Sequence, residues 1–127
     1  MHRMLWVGFG GFVGAILRYL ITGWVQRWAK SVTFPHGTLA VNLMGCFIIG
    51  LLSQLLESRS AFGVEARLFI FIGLLGAFTT FSTFGNETLN LLRESDTLFA
   101  LSNIATHIVL GLGMVWLGRA LAEVVWR

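Results

Sequence analysis

Four long apolar stretches, separated by three short polar ones, make up the pattern of this chain. The apolar stretches cover residues 4–25, 37–56, 67–92 and 98–125. A helix needs about 20 apolar residues to cross a bilayer, so each stretch is long enough to span it. The connections at residues 26–36, 57–65 and 93–97 are too short to form a soluble domain. The pattern predicts an all-α membrane protein with four transmembrane helices in a single domain, residues 1–127.

Composition supports a membrane protein and excludes other classes. Of the 127 residues, 56% are hydrophobic and 12% charged, and a soluble domain of this size has too little interior to bury so much apolar surface. The single cysteine, Cys46, excludes an internal disulfide. The nine basic residues are scattered near segment ends, which does not suit a nucleic-acid patch. There is no phosphate loop, redox motif or nucleophile with an aligned base, so we expect no enzyme.

The distribution of basic residues leaves the orientation open. Four spans put both termini on one side, and five basic residues on that side face three or four on the other. Such a weak imbalance fits either a single orientation or insertion in both directions. In the second case, two opposite copies would pair about a two-fold axis in the membrane plane. The side with the termini carries Arg3, Arg59, Arg67, Arg119 and Arg127, and the other carries Arg27, Lys30 and Arg93, with Arg18 buried towards it.

Polar residues inside the spans are candidates for function, because a polar group in hydrocarbon must be satisfied. Arg18 lies in the last third of the first span, where it either anchors at the interface or lends positive potential to an anion entrance. Asn42 either bonds another helix or lines a pore as a donor. His107 is interpreted as a packing or hydrogen-bonding residue, because no second metal ligand stands at a suitable spacing.

The segment "GAFTTFSTFGNE" carries hydroxyls where lipid-facing packing does not explain them. On a helix, Phe78, Phe81 and Phe84 lie three residues apart and so share a face. Gly73 and Gly76 precede the cluster, where the helix could open and leave carbonyls for a cation or a water-filled cavity. A phenyl ring has a positive edge, so ring edges and hydroxyl donors together would hold an anion weakly. Weak binding at several sites suits ion passage.

Four sequence features together resemble the Fluc (CrcB) fluoride channels, over essentially the whole chain. They are "GTLAVN" ending at Asn42, "TTFSTF" beginning at Thr79, Glu87 shortly after it, and "LRY" around Arg18. The resemblance implies a passive, fluoride-selective channel that exports fluoride from the cytoplasm and confers fluoride resistance. It implies a multi-pass protein of the bacterial inner (plasma) membrane. It also implies an antiparallel, dual-topology homodimer with two pores and a third helix broken near its middle.

The resemblance also assigns roles to residues by position. It implies a fluoride pore lined by Phe81, Phe84, Asn42, Ser82 and Thr83. It implies a pore vestibule at Arg18 and Glu87, and a structural Na⁺ at the dimer interface held by the backbone carbonyls of Gly76 and Thr79.

The chain departs from the family pattern in two places. Gly111 and Val115 stand where the fourth span of the family usually offers a Ser and a Thr, and Gly85 stands where a Ser follows the aromatic motif. Some of the hydroxyl groups that line the pore in the family are therefore expected to be missing from this chain. The alternatives are a small dual-topology, proton-coupled multidrug exporter and an assembly subunit. The exporter needs a carboxylate in its first span, which has none here.

Overall fold

The computed structural model describes residues 1–59 and 62–126, except for the side chains of residues 58 and 59. Its elements are α1 (His2–Ala29), α2 (His36–Arg59), α3 (Val64–Arg67), a π-helical segment (Leu68–Leu75), α4 (Gly76–Phe78), α5 (Phe81–Arg93) and α6 (Thr97–Val125). Within this part of the chain, four helical spans are long and apolar enough to cross a bilayer. They are His2–Ala29, His36–Glu57, Val64–Arg93 and Thr97–Val125, so the predicted spans are confirmed with ends a few residues longer.

Most of the apolar surface of these helices faces outward. In the most apolar window of each span, only 11% to 17% of the residues are buried inside the chain. Such a surface is stable against lipid and not against water. The charge balance that bears on orientation depends partly on Arg59 and Arg127. The Arg59 side chain and the whole of Arg127 lie outside the described residues, so the prediction about orientation stays a prediction.

Glycines set the close contacts between helices. Gly10 and Gly14 of α1 lie against the carbonyls of Phe69 and Leu74 in the π-helical segment, and Gly73 packs back onto α1. A side chain at any of these glycines would collide with backbone. The small-residue spacing in the first and third spans therefore brings two helices of the same chain together, as such spacing permits in membranes.

The fourth span packs along the second by the same means. Gly50 of α2 meets the backbone of Val115, and Gly118 of α6 meets the carbonyl of Phe47. At the membrane surface Arg119 bridges Glu57 at 2.8 Å. Val115 therefore lies at a contact between α2 and α6. Gly111 lies near Cys46: a Cβ added to this glycine would be 3.7 Å from the Cys46 sulfur.

The connection between α1 and α2 is organised by one side chain. Gln26 donates to the carbonyls of Ser31 and Phe34 at 2.6 and 3.1 Å and accepts from the backbone N–H of Gly37 at 3.0 Å. Leu39 N–H bonds to the carbonyl of Pro35, so α2 begins directly after the proline. This loop sets where the polar residues of α2 enter the membrane.

The third span changes conformation twice. It is π-helical over Leu68–Leu75, and it leaves the helical conformation at Thr79 (φ −88°, ψ 157°) and Thr80 (φ −151°, ψ 112°) before α5 begins. The prediction of a third helix interrupted near its middle is therefore supported, and the opening includes Thr79 but not Gly76. Gly76 is helical (φ −62°, ψ −34°), and the opening lies three residues after it.

Candidate functional site

The opening at Thr79 and Thr80 is held from α2 by Asn42. The Thr80 backbone N–H donates to Asn42 Oδ1 at 2.8 Å, and Asn42 Nδ2 donates to the Thr80 carbonyl at 3.1 Å. Backbone groups released from a helix inside a membrane need such partners, because lipid offers none. Of the two interpretations of Asn42, the structure contains the bond between helices. A second N–H of the amide remains for the pore-lining role, which stays a prediction.

Thr80 also starts the next helix. It is the N-cap of α5, and its Oγ1 accepts from Thr83 N–H at 3.3 Å. The same hydroxyl donates to Thr83 Oγ1 at 2.9 Å and lies 3.4 Å from Ser82 Oγ. A helix N-terminus carries partial positive charge. The predicted hydroxyl donors Ser82 and Thr83 therefore lie at the positive end of α5, inside the third span.

The two predicted pore phenylalanines are close neighbours on α5. The ring centroids of Phe81 and Phe84 are 5.5 Å apart, with 52° between the planes. Phe81 is 82% exposed in the single chain, whereas Phe84 is half-buried. Phe78 does not share their face. It lies before the interruption and is buried, so that prediction was wrong because it assumed an unbroken helix.

Two cavities meet at the interruption, and Thr80 lines both. The first, called here the phenylalanine groove, has a volume of about 400 Å³. The second, called here the arginine cavity, has a volume of about 340 Å³. The phenylalanine groove is lined by Asn42, Gly45, Cys46, Ile49, Phe71, Leu75, Gly76, Thr79, Thr80, Phe81, Phe84, His107 and Ile108. The arginine cavity is lined by Ala15, Arg18, Tyr19, Thr22, Gly23, Thr38, Thr80 and Thr83.

Thr38 connects the two predicted vestibule residues. It lines the arginine cavity together with Arg18, and its Oγ1 donates to Glu87 Oε1 at 2.7 Å. The other carboxylate oxygen, Oε2, is buried and has no hydrogen-bond partner among the described residues. Glu87 also lines a third cavity, of about 260 Å³, beside the α1–α2 loop. Arg18 and Glu87 therefore lie on opposite sides of one threonine, with opposite charges.

The backbone at Gly76 and Thr79 fits a bound cation. In a continuous helix, the N–H of Thr80 would bond the Gly76 carbonyl and that of Thr83 the Thr79 carbonyl. Here those N–H groups bond Asn42 and Thr80 instead. Both carbonyls lose their helical partners, and carbonyl oxygens are ligands for hard cations. Among the described residues no group of three or more His, Cys, Asp or Glu side chains could hold a metal.

Several polar residues around the site were missed or undervalued at the level of sequence. Thr38, Thr88 and Asn103 are all buried, and Asn103 has no exposed surface. Asn103 lies in an apolar span, as Asn42 does, and the same reasoning would have identified it. His107 was expected to make hydrogen bonds and packing contacts. Its Nδ1 is 2.9 Å from the Asn103 carbonyl, and its ring lies 4.4 Å from that of Phe84.

The fold and the site together define a multi-pass membrane protein built around an interrupted helix. In membrane proteins such interruptions persist where they line a cavity or bind ions.

Comparison with known proteins identifies the family. The model of the family described as "CrcB-like protein, Camphor Resistance (CrcB)" matches residues 5–119. This chain belongs to the CrcB family.

The relatives of this chain carry names of ion channels and not of enzymes. The "Fluoride-specific ion channel FluC 1" of Methanosarcina acetivorans is 44% identical over 119 residues, which cover 94% of this chain and 89% of the relative. The "Fluoride-specific ion channel FluC" of Methylobacillus flagellatus is 40% identical over 127 residues, which cover 100% of this chain and 99% of the relative. The protein of the same name from Salinibacter ruber is 44% identical over 122 residues, which cover 96% and 90%.

Proposed function

We propose that this protein is a fluoride-selective, passive ion channel of the bacterial inner membrane. Acid carries HF across lipid into a neutral cytoplasm, where it ionises. The channel then lets the anion leave down its gradient, which confers fluoride resistance. The observation that carries the proposal is the interrupted third span, where Asn42, two phenylalanine rings and the N-terminal hydroxyls of α5 surround one opening. The names of the relatives support the same function.

In this proposal fluoride exchanges its hydration shell for several weak donors. The donors are the hydroxyls of Ser82 and Thr83, the second amide N–H of Asn42 and the positive ring edges of Phe81 and Phe84. None of these groups offers a full charge, so the ion is not trapped. Arg18 would raise the local anion concentration from the arginine cavity. Glu87, held by Thr38, would limit that attraction at the other side.

We propose further that the active unit is an antiparallel, dual-topology homodimer. Phe81 is 82% exposed in the single chain, and the phenylalanine groove beside it is open. The polar groups of this open groove, such as Asn42 and Thr80, find no hydrogen-bond partners among lipid tails. A second, inverted copy would cover the ring and complete the groove, and two such copies would form two pores. The weak charge bias of the described termini and loops is compatible with insertion in both directions.

A structural sodium ion belongs to the same proposal. Gly76 and Thr79 would supply backbone carbonyls from each copy, since one chain alone offers too few for a hard cation. The ion would supply positive potential near the anion path and tie the two interrupted helices together. The two hydrogen bonds between Asn42 and Thr80 would keep the third span open, so that these carbonyls stay available to the ion.

The test is fluoride release from liposomes. Purified protein is reconstituted in vesicles loaded with potassium fluoride or potassium chloride, and efflux is started with valinomycin and followed with halide electrodes. We expect release of fluoride and not of chloride. Absence of fluoride release from protein that is correctly assembled would remove the proposal. The multidrug exporter is not proposed, because the first span carries no acidic residue to couple protons.

A further inference from the structure

A chain of hydrogen bonds runs from the core between α5 and α6 to the backbone of Phe84. Asn103 on α6 is fully buried, at 0% exposure. Its Nδ2 donates to Thr88 Oγ1 at 2.9 Å, and the Thr88 hydroxyl donates to the Phe84 carbonyl at 2.7 Å. The two bonds act in series. They attach the first turns of α5, which carry Phe84, to a fixed point on the neighbouring helix.

A second path runs from the same asparagine to the Phe84 ring. The Asn103 carbonyl lies 2.9 Å from His107 Nδ1. Because a carbonyl only accepts, Nδ1 carries the proton and donates it, which fixes the imidazole plane. The centroids of the imidazole and the Phe84 ring are 4.4 Å apart, with 40° between the planes. The Asn103 side chain therefore reaches the Phe84 backbone through Thr88, and the backbone carbonyl of the same residue orients the imidazole that contacts the Phe84 ring.

This arrangement decides which part of the Phe84 ring is available. The two rings are tilted by 40°, and a centroid separation of 4.4 Å is too short for an edge-to-edge contact, so the imidazole lies over part of one ring face. The ring face is the negative part of the phenyl quadrupole, and the edge is the positive part. Because His107 lies over the face of the Phe84 ring and fixes its tilt, the ring edge is the part that meets an anion in the phenylalanine groove. His107 also lines this groove.

Two polar atoms of this hydrogen-bond network have no partner. Among the described residues, Asn103 Oδ1 and His107 Nε2 are buried without a hydrogen-bond partner. A buried polar atom without a partner destabilises a fold and calls for an explanation. An apolar residue at position 103 would fill the space between α5 and α6 without leaving an orphaned oxygen. A residue that serves helix packing alone has no need of the amide.

We propose that Asn103 and Thr88 are positioning residues that set the Phe84 backbone, and that His107, oriented by the backbone carbonyl of residue 103, sets the Phe84 ring. The proposal rests on the proposed function, in which the edge of Phe84 meets the permeating anion. Asn103 itself touches no ion.

The experiment uses matched variants of Thr88 in the full chain. Thr88→Val removes the hydroxyl at nearly constant volume, and Thr88→Ser keeps it. Ser102→Ala is the control on α6, because Ser102 bonds only within its helix, to the Leu98 carbonyl at 2.7 Å. We expect Thr88→Val to slow fluoride efflux from liposomes about tenfold, as loss of a buried hydrogen bond predicts. Thr88→Ser and Ser102→Ala should keep the parent rate within about twofold.

A second readout observes the ring directly and does not depend on conduction. A single 4-fluorophenylalanine is placed at position 84, and its ¹⁹F resonance is recorded in detergent without added fluoride. We expect one narrow line in the parent, Thr88→Ser and Ser102→Ala, and a shifted or split line in Thr88→Val. His107→Phe keeps a ring and removes the Nδ1 donor, and it should also shift the ¹⁹F line. This variant replaces Thr88→Val in the experiment if Thr88→Val does not fold.

The outcomes separate the two proposals. A Thr88→Val protein with lowered thermal stability but parent efflux and an unchanged ¹⁹F line would overturn the positioning role and leave only helix packing. If the parent released no fluoride, the proposed function would fail, and the ¹⁹F line would still decide whether Asn103 and its partners set the ring.

Discussion

Asn42 on α2 pairs with both backbone polar groups of Thr80, at 2.8 Å to the N–H and 3.1 Å to the carbonyl. The two residues are 38 positions apart in the chain, yet the amide replaces the helical acceptor that the Thr80 N–H has lost and adds a donor to the N-cap carbonyl. A single side chain thereby stabilises an extended residue inside a membrane span, where unsatisfied backbone groups are unfavourable.

Replacing Asn42 tests this pairing. Asn42→Leu removes both bonds and leaves the Thr80 N–H without an acceptor, while the Thr80 carbonyl keeps only its bond within α5. We expect the free energy of unfolding to fall by about 2–4 kcal/mol and fluoride efflux to fall at least about tenfold. The measurements are thermal unfolding in detergent and liposome efflux. Asn86→Leu, at an exposed position on α5, makes the same chemical change outside the opening and is the control. Parent behaviour of Asn42→Leu would contradict the pairing.

The phenylalanine rings are tested by aliphatic replacement. Phe81→Ile and Phe84→Ile keep apolar bulk and remove the ring edges. We expect fluoride efflux to slow about five- to tenfold in each, since one aromatic contact contributes roughly 1 kcal/mol, while the dimer stays assembled on size-exclusion chromatography. Phe12→Ile, at an exposed position on α1, is the matched control. Parent rates in both pore variants would mean that the rings serve packing alone.

Arg18 is tested by removing its charge. Arg18→Gln keeps polarity and length but removes the positive potential of the arginine cavity. We expect the fluoride concentration for half-maximal flux to rise about three- to tenfold at low salt, and the difference to shrink at high ionic strength. Arg18→Lys keeps the charge and should stay close to the parent. A loss of flux in Arg18→Gln that does not change with ionic strength would argue for a structural role.

The sodium proposal is tested by its removal. Protein is purified and reconstituted with N-methyl-D-glucamine in place of sodium throughout, and potassium fluoride efflux is measured with valinomycin. We expect lower flux, because the Gly76 and Thr79 carbonyls would repel one another without a cation, and restoration of flux when sodium is added. Equal flux with and without sodium, in protein shown by elemental analysis to contain none, would exclude the ion from the mechanism.

Residue patterns predicted the four spans and an interruption near the middle of the third, but not the contact that holds the interruption open. Each of the four spans is a long apolar run, and hydrophobic burial in lipid depends on such runs directly. Gly73 and Gly76 suggested where the third helix opens, but glycine only permits a change of conformation. Thr79 and Thr80 leave the helix because Asn42 supplies partners there, and that contact comes from another helix.

The same distinction applies to the rings and glycines. A spacing of three residues predicts a shared face only on an unbroken helix, so Phe78 is buried apart from Phe81 and Phe84. Gly10 and Gly14, four residues apart on α1, permit a close helix contact, and only the packed structure shows that the partner is the π-helical segment of the same chain. Asn103 could have been identified as an amide in an apolar span, but its partner Thr88 comes near it only after α5 and α6 pack.

The sequence alone determined that this chain crosses a membrane four times and that polar side chains are concentrated in its third span. It also determined which family its motifs resemble. Those properties depend on the solvent preference of each residue and on neighbours a few positions away. Only the tertiary structure decided where the third span opens, which side chain holds the opening and which face of Phe84 is covered. Hydrogen bonds between distant segments are directional and short, so they form only where helix packing brings a donor and an acceptor together.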